Sequence, residues 1–211
     1  MIRACLAFGL LPLLAACEQH NSLLTPYAKA TLTAGVGLGD LKLGQTTLGS
    51  VVQRLGVDTV TPLASDEIGL ELFYEHGQLA LLFVIPPECL STLKTGLRPA
   101  ATDLAAFLAR TPCLREVTLS SISVRSRASA DESWFQGATD AGARLWDPSQ
   151  AAYKHGETGG GAAGLVAGLN PNNPPDEVHF KSGIAFYYLP VEGGDARQTR
   201  IQRITIYPPG R

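Results

Sequence analysis

Few side chains in this sequence are of a type that does chemistry, and they are scattered. The four histidines, His20, His76, His155 and His179, stand singly, with no His-x-x-x-His or Glu-x-x-His spacing to set two metal ligands on one face. Asp66-Glu67 and Asp131-Glu132 are sequence neighbours. Their carboxylates point apart on any regular element and read as solvated turns rather than an acid/base couple. The run Gly159-Gly160-Gly161 has no strand before it and no Lys-Ser/Thr after it, and no Gly-x-Ser-x-Gly elbow occurs. His20 falls in a polar stretch, His76 in a hairpin turn, and His155 at a helix C-terminus, where an imidazolium complements the dipole. That leaves His179, just after Asp176-Glu177 and near the start of a strand, as the position around which distant residues could gather a hydrolytic site. No metal site and no cofactor is expected.

The N-terminus carries a different chemistry. Arg3 precedes an uncharged run from Ala4 to Ala16, and Cys17 follows it. About 13 apolar residues at ~1.5 Å each reach roughly 20 Å, short of the ~30 Å hydrocarbon core, so the run reads as an export signal and not as a permanent span. Leu14-Ala15-Ala16-Cys17 resembles the lipobox of bacterial lipoproteins. The resemblance implies that residues 1–16, Cys5 included, are a lipoprotein signal peptide, and that the Cys17 thiol carries diacylglycerol. Several acyl chains, each CH₂ contributing ~0.8 kcal/mol, would anchor the chain durably. Glu18, standing where an inner-membrane retention signal has aspartate, implies the periplasmic face of the outer membrane. The plainer alternative is an ordinary signal peptide with a cysteine that happens to follow Ala-Ala.

Residues after Cys17 are polar and aperiodic to about Ala34, so 17–35 is expected to be a lipidated cysteine and a polar tether. In an oxidising compartment the two remaining thiols, Cys89 and Cys113, are expected to form a disulfide. Free thiols or a redox or metal pair are the alternative, without the Cys-x-x-Cys spacing that usually marks one.

Two stretches of the remaining chain follow one order. In the first, Leu48, Val51, Val52 and Leu55 make one apolar helical stripe that stops at Gly56. Leu70, Leu72 and Tyr74 then alternate with Glu71 and Phe73, Glu75-His76-Gly77-Gln78 turns, and Leu79 to Ile85 returns to Pro86-Pro87. In the second, Asp147-Pro148-Ser149-Gln150 reads as a helix N-terminus, with Asp147 as cap, and Gly156 as its end. Ile184, Phe186 and Tyr188 lead out, and Ile201 to Tyr207 returns to Pro208-Pro209. Between the two, Val117 to Val124 reads as a strand with a bulge between Leu119 and Ile122, and Trp134-Phe135 is expected to pack near the start of the second stretch. Thr102 is placed to cap a short helix carrying Leu104, Phe107 and Leu108. Residues 157–175 read as an exposed Gly/Pro-rich loop.

The expected fold class is α+β: two related units, each a short helix packed on an antiparallel β hairpin or sheet. The first occupies 36–125 and includes the disulfide-closed helix, and the second occupies 126–211. Leu41-Lys-Leu-Gly-Gln-Thr-Thr-Leu-Gly-Ser-Val-Val-Gln-Arg-Leu-Gly56 resembles the tandem α/β repeats of the outer-membrane assembly lipoprotein BamE (SmpA/OmlA) type and of the β-lactamase inhibitor protein. That resemblance speaks to the fold.

The composition, 45% hydrophobic and 17% charged with a net charge of −2, is that of a globular protein without the basic footprint of a nucleic-acid binder. The leading expectation is a membrane-anchored periplasmic lipoprotein, a non-enzymatic binding or scaffold protein of the bacterial cell envelope. It would be held to the membrane at Cys17 and have an envelope protein as partner. Phe73, Tyr187 and Tyr207, opposite the apolar series, would supply the surface or else a second core layer. The alternatives are a small cell-envelope hydrolase around His179 and a periplasmic small-ligand carrier with an apolar pocket of several hundred Å³.

Overall fold

The strand pattern decides the architecture, because alternating apolar residues must share one buried face. The structure, a computed structural model, describes residues 23–64, 68–90, 103–126, 133–156, 177–190 and 199–209. It is α+β. Seven strands, β4 (Thr59–Ala64), β5 (Ile68–Tyr74), β6 (Leu79–Val84), β7 (Ser121–Arg125), β8 (Glu177–Phe180), β9 (Ile184–Pro190) and β10 (Thr199–Ile206), form one antiparallel sheet in the order β4-β5-β6-β7-β10-β9-β8. Three two-residue strands, β1 (Leu32–Thr33), β2 (Gly37–Leu38) and β3 (Leu41–Lys42), make a second small sheet.

Leu70, Leu72 and Tyr74 of β5, Leu81 and Phe83 of β6, Ile122 and Val124 of β7, Phe186 and Tyr188 of β9, and Ile204 and Ile206 of β10 belong to one core cluster. Three helices complete it: α2 (Leu48–Leu55), α3 (Leu104–Ala109) and α4 (Pro112–Arg115), following α1 over 23–28. The stripe Leu48, Val51, Val52 and Leu55 is buried as its spacing predicts. The Thr47 hydroxyl caps α2 by accepting from the Ser50 N–H at 3.2 Å. At the far end Tyr74 donates from β5 to the Gly56 carbonyl at 2.9 Å, fastening helix to sheet. Cys89 and Cys113 lie at disulfide distance, Cα to Cα 5.8 Å.

The order of a helix followed by a three-stranded meander occurs twice, as α2 with β4-β5-β6 and as residues 149–155 with β8-β9-β10. Between them β7 pairs with both β6 and β10, so hydrogen bonding runs unbroken across the division expected at 125/126. Thr59–Ala64 forms the edge strand β4, a position that tolerates Pro62.

Several expectations need correction. The polar tether expected over 17–35 is folded from residue 23 onward: Leu24 and Tyr27 of α1 and Leu32 of β1 are in the core. The Ala28 carbonyl accepts the N–H groups of Gln136 and Gly137. The helix expected after Pro148 is a 3-10 segment, Ser149–His155. Asp147 does not cap it, because its carboxylate turns back to accept the Arg144 N–H at 2.8 Å. Between Leu119 and Ile122 the chain changes partner. Leu119 donates to Thr46, Ser120 donates to Leu82, and the paired strand begins at Ser121. Phe135 is buried in the core, and Trp134 donates its N–H to the Gln78 side chain in the β5–β6 turn. Thr102 and residues 157–175 lie outside the described residues.

Candidate functional site

The second face of the seven-stranded sheet faces away from the helices, whose buried side chains all belong to the cluster on the first face. Cross-strand partners share a face, so the registers define its rows. Phe73, Ala80, Ser123, Thr205, Ala185 and His179 lie in one line over β5, β6, β7, β10, β9 and β8. At ~4.8 Å per strand that line spans about 24 Å. Its middle residues are small, and the Ser123 and Thr205 hydroxyls bond to each other at 2.9 Å. The ends are aromatic or imidazole, and Ala80, Ser123 and Ala185 between them are buried.

A parallel row holds Glu177, Tyr187, Arg203 and Arg125. Arg203 and Arg125 are direct partners on adjacent strands, an arrangement that costs free energy for like charges. They separate by leaning on different aromatic rings. The Arg203 guanidinium carbon sits 3.3 Å from the Tyr187 ring centroid, and that of Arg125 sits 6.0 Å from the Phe73 ring. No ion pair joins either one to a carboxylate among the described residues. The Nε of each is buried without a hydrogen-bond partner. Glu71, on the same face, feels both cations, yet burial outweighs them and pushes its carboxyl up. Beside the arginines is a cleft of about 410 Å³ lined by Arg125, Ser126, Tyr187, Tyr188, Leu189 and Arg203, with Gln202 at the register shift. Next to it Trp146 adopts a positive φ of 68°, costly for a bulky residue. It is held by its N–H to the Ile201 carbonyl at 2.7 Å and by its indole to Ser126.

His179 and its neighbours form the other polar group. Its Nε2 contacts Glu177, and its Nδ1 is 3.1 Å from the Tyr207 hydroxyl. Glu177 also accepts from Tyr187, and that bond adds to burial in raising the Tyr187 phenol to about 12. Burial likewise raises Tyr207, the opposite of what activates a phenol for attack. With both ring nitrogens engaged by its own neighbours, His179 is a link in a chain of hydrogen bonds.

His155 is buried on the first face, where a charged imidazolium would be expensive. It packs on Phe186 and Phe180, centroids 5.3 and 6.1 Å away, with Nε2 2.8 Å from the Thr139 hydroxyl and Nδ1 3.6 Å from Asp140. Burial lowers its pKa despite Asp140. The unfolded chain therefore takes up the proton first, so His155 leaves stability intact above about pH 6.5 and reduces it as the pH falls below that value toward the folded pKa. Urea midpoints at pH 7.5 and 5.5 should differ less in His155→Gln than in the parent, and an equal difference would refute this.

The residues read from sequence are thus divided. Phe73, Tyr187, Tyr207 and His179 share the open face. His76 is exposed in the β5–β6 turn. Cys17, His20, Asp66-Glu67, Asp131-Glu132 and Gly159-Gly161 fall outside the described residues, as does Ser91-Thr92-Leu93-Lys94, which has the Ser-x-x-Lys spacing. Arg125 and Arg203 were missed because each is an ordinary outward residue of its own strand, and only the β7–β10 register brings them together. Among the described residues no helix is long and apolar enough to cross a membrane. No group of three or more His, Cys, Asp or Glu side chains is placed there to hold a metal ion. Compared with protein families, curated proteins and solved structures, the chain matches none.

Proposed function

We propose that this protein is a lipid-anchored lipoprotein of the bacterial cell envelope, held at Cys17 on the periplasmic face of the outer membrane, and that it works by binding and not by catalysis. The observation that carries the binding reading is the open sheet face, where Phe73, Tyr187, Arg125, Arg203 and Tyr207 are half-exposed. A sheet face that needed only solvation would be served by short polar and charged side chains. Aromatic rings and stacked arginines are the groups that dominate protein-binding surfaces. The leader and Leu14-Ala15-Ala16-Cys17 support the address, and a Cys89–Cys113 bond suits an oxidising compartment. Because the fold begins by residue 23, five residues separate it from Cys17. At ~3.5 Å per residue that holds the domain within about 20 Å of the lipid, closer than a long tether would.

The test has two arms. Radiolabelled palmitate should enter the wild-type chain and not Cys17→Ala, which should also leave the membrane fraction; labelling retained in the variant would refute the anchor. Recovery of an envelope protein from detergent extracts by the wild type, and its loss in Phe73→Ala with Tyr187→Ala, is the expected result for the surface. Recovery of the same protein by both would refute it.

The contact of Glu177, His179 and Tyr207 favours a second reading, a small envelope hydrolase. It would require hydrolysis of a cell-wall or ester substrate by the wild type and its loss in His179→Ala.

A further inference from the structure

The arginine pair asks for a ligand. Folding places Arg125 and Arg203 side by side, and each Nε is stripped of water without an acceptor in return. An unmade hydrogen bond to a buried charged group is costly, and chains keep such groups where something else supplies the acceptor. Stacking explains how the guanidiniums are held. Arg203 presents its flat face to Tyr187 at 3.3 Å, which fixes the plane and leaves the in-plane N–H groups for another partner. Arg125 lies nearer Phe73, and both arginines line the cleft of about 410 Å³.

We propose that this cleft is an anion-binding site in which the Arg125 and Arg203 guanidiniums together hold one oxyanion, a phosphate or carboxylate group of the ligand. Arginine forks match both groups in a bidentate way, and an anion between the forks removes the repulsion of two like charges in register. Tyr187, Tyr188 and Leu189 line the same cleft; Leu189 is 47% exposed, giving an apolar flank for the organic part of the ligand. Glu71 faces the pair from β5 and keeps the site from being purely cationic, which disfavours indiscriminate binding of polyanions. The inference rests on reading the open face as the binding surface and is independent of the lipid anchor.

The test uses the full-length chain in detergent micelles, titrated in one arm with inorganic phosphate and in the other with acetate, while the arginine Nε–Hε NMR signals are followed. Saturable shifts of the Arg125 and Arg203 signals are expected in at least one arm, and the tighter arm identifies the headgroup. A lost charge-assisted contact should weaken binding about tenfold in Arg125→Gln or Arg203→Gln. Arg203→Lys, which keeps the charge and loses the fork, should recover only part of it. Arg115→Gln, on the other side of the molecule, should bind as the parent does. Absence of shifts in both arms, or equal binding by parent and both glutamine variants, overturns the site and leaves the anchoring and pull-down results untouched.

Discussion

Replacing Gly183 with alanine should lower stability by about 3 kcal/mol or more, combining a left-handed backbone with an overpacked contact. Gly183 closes the turn from β8 to β9 with φ of +84°, and a methyl group there would stand 2.3 Å from the Tyr207 carbonyl oxygen and 2.9 Å from the Gly35 Cα. Neither neighbour is a side-chain tip that can swing aside. Both are backbone, and the Gly183 carbonyl itself accepts the N–H groups of Gly35 at 3.2 Å and Tyr207 at 3.0 Å. Three segments far apart in the chain thus meet with no room for a side chain: the small N-terminal sheet, the turn, and the end of β10. Gly142 is the control, since its φ is +85° and nothing lies within 4 Å of the added carbon. Gly142→Ala should cost only the conformational part, about 1 kcal/mol. Urea denaturation of the two variants therefore separates strain from close approach, and equal midpoints would show that the turn can yield. Since this turn sets β8 against β9, Gly183→Ala should also perturb the His179 and Tyr187 NMR signals.

What could be read in advance was whatever is local. The α2 stripe, the β5–β6 hairpin and the β9–β10 pair each announce themselves within about twenty residues, because burial forces a period of 3.6 or 2 on the apolar side chains. Parity alone places Tyr207 and Phe73 on the outward face. The tether failed for an instructive reason. Leu24, Tyr27 and Leu32 are too sparse to set a sustained apolar period, yet a core built by later residues receives all three. The same holds for the arginine pair: Arg125 looks like the polar end of one strand and Arg203 like the mid-strand polar residue of another. Their meeting is decided by β7 joining β10, a non-local pairing that leaves no periodic trace. The folded positions of Leu24 and Tyr27 also change the envelope reading, because they bring the sheet closer to any anchor at Cys17.

The Cys89–Cys113 bond should carry an effect of similar size to Gly183, with a different distribution over the molecule. A cross-link closing a loop of 25 residues contributes about 3.5 kcal/mol in the chain-entropy picture, so the Cys89→Ser, Cys113→Ser double variant should unfold at a clearly lower urea concentration than the parent. The elements inside the loop explain why the loss should not be uniform. α3 has six residues and α4 four, far below the length at which a helix stands alone. They are held by Leu104, Phe107, Leu108 and Leu114 packed in the core and by the cross-link between α4 and the turn after β6. The strands do not depend on that link, since β5, β6, β7, β10 and β9 form a continuous ladder. Hydrogen exchange on the double variant should therefore show α3 and α4 amides losing protection while those of β6 and β10 keep most of theirs. Loss spread evenly over the sheet would mean that helices and sheet unfold as one unit, and an unchanged urea midpoint would mean that core packing alone holds the loop.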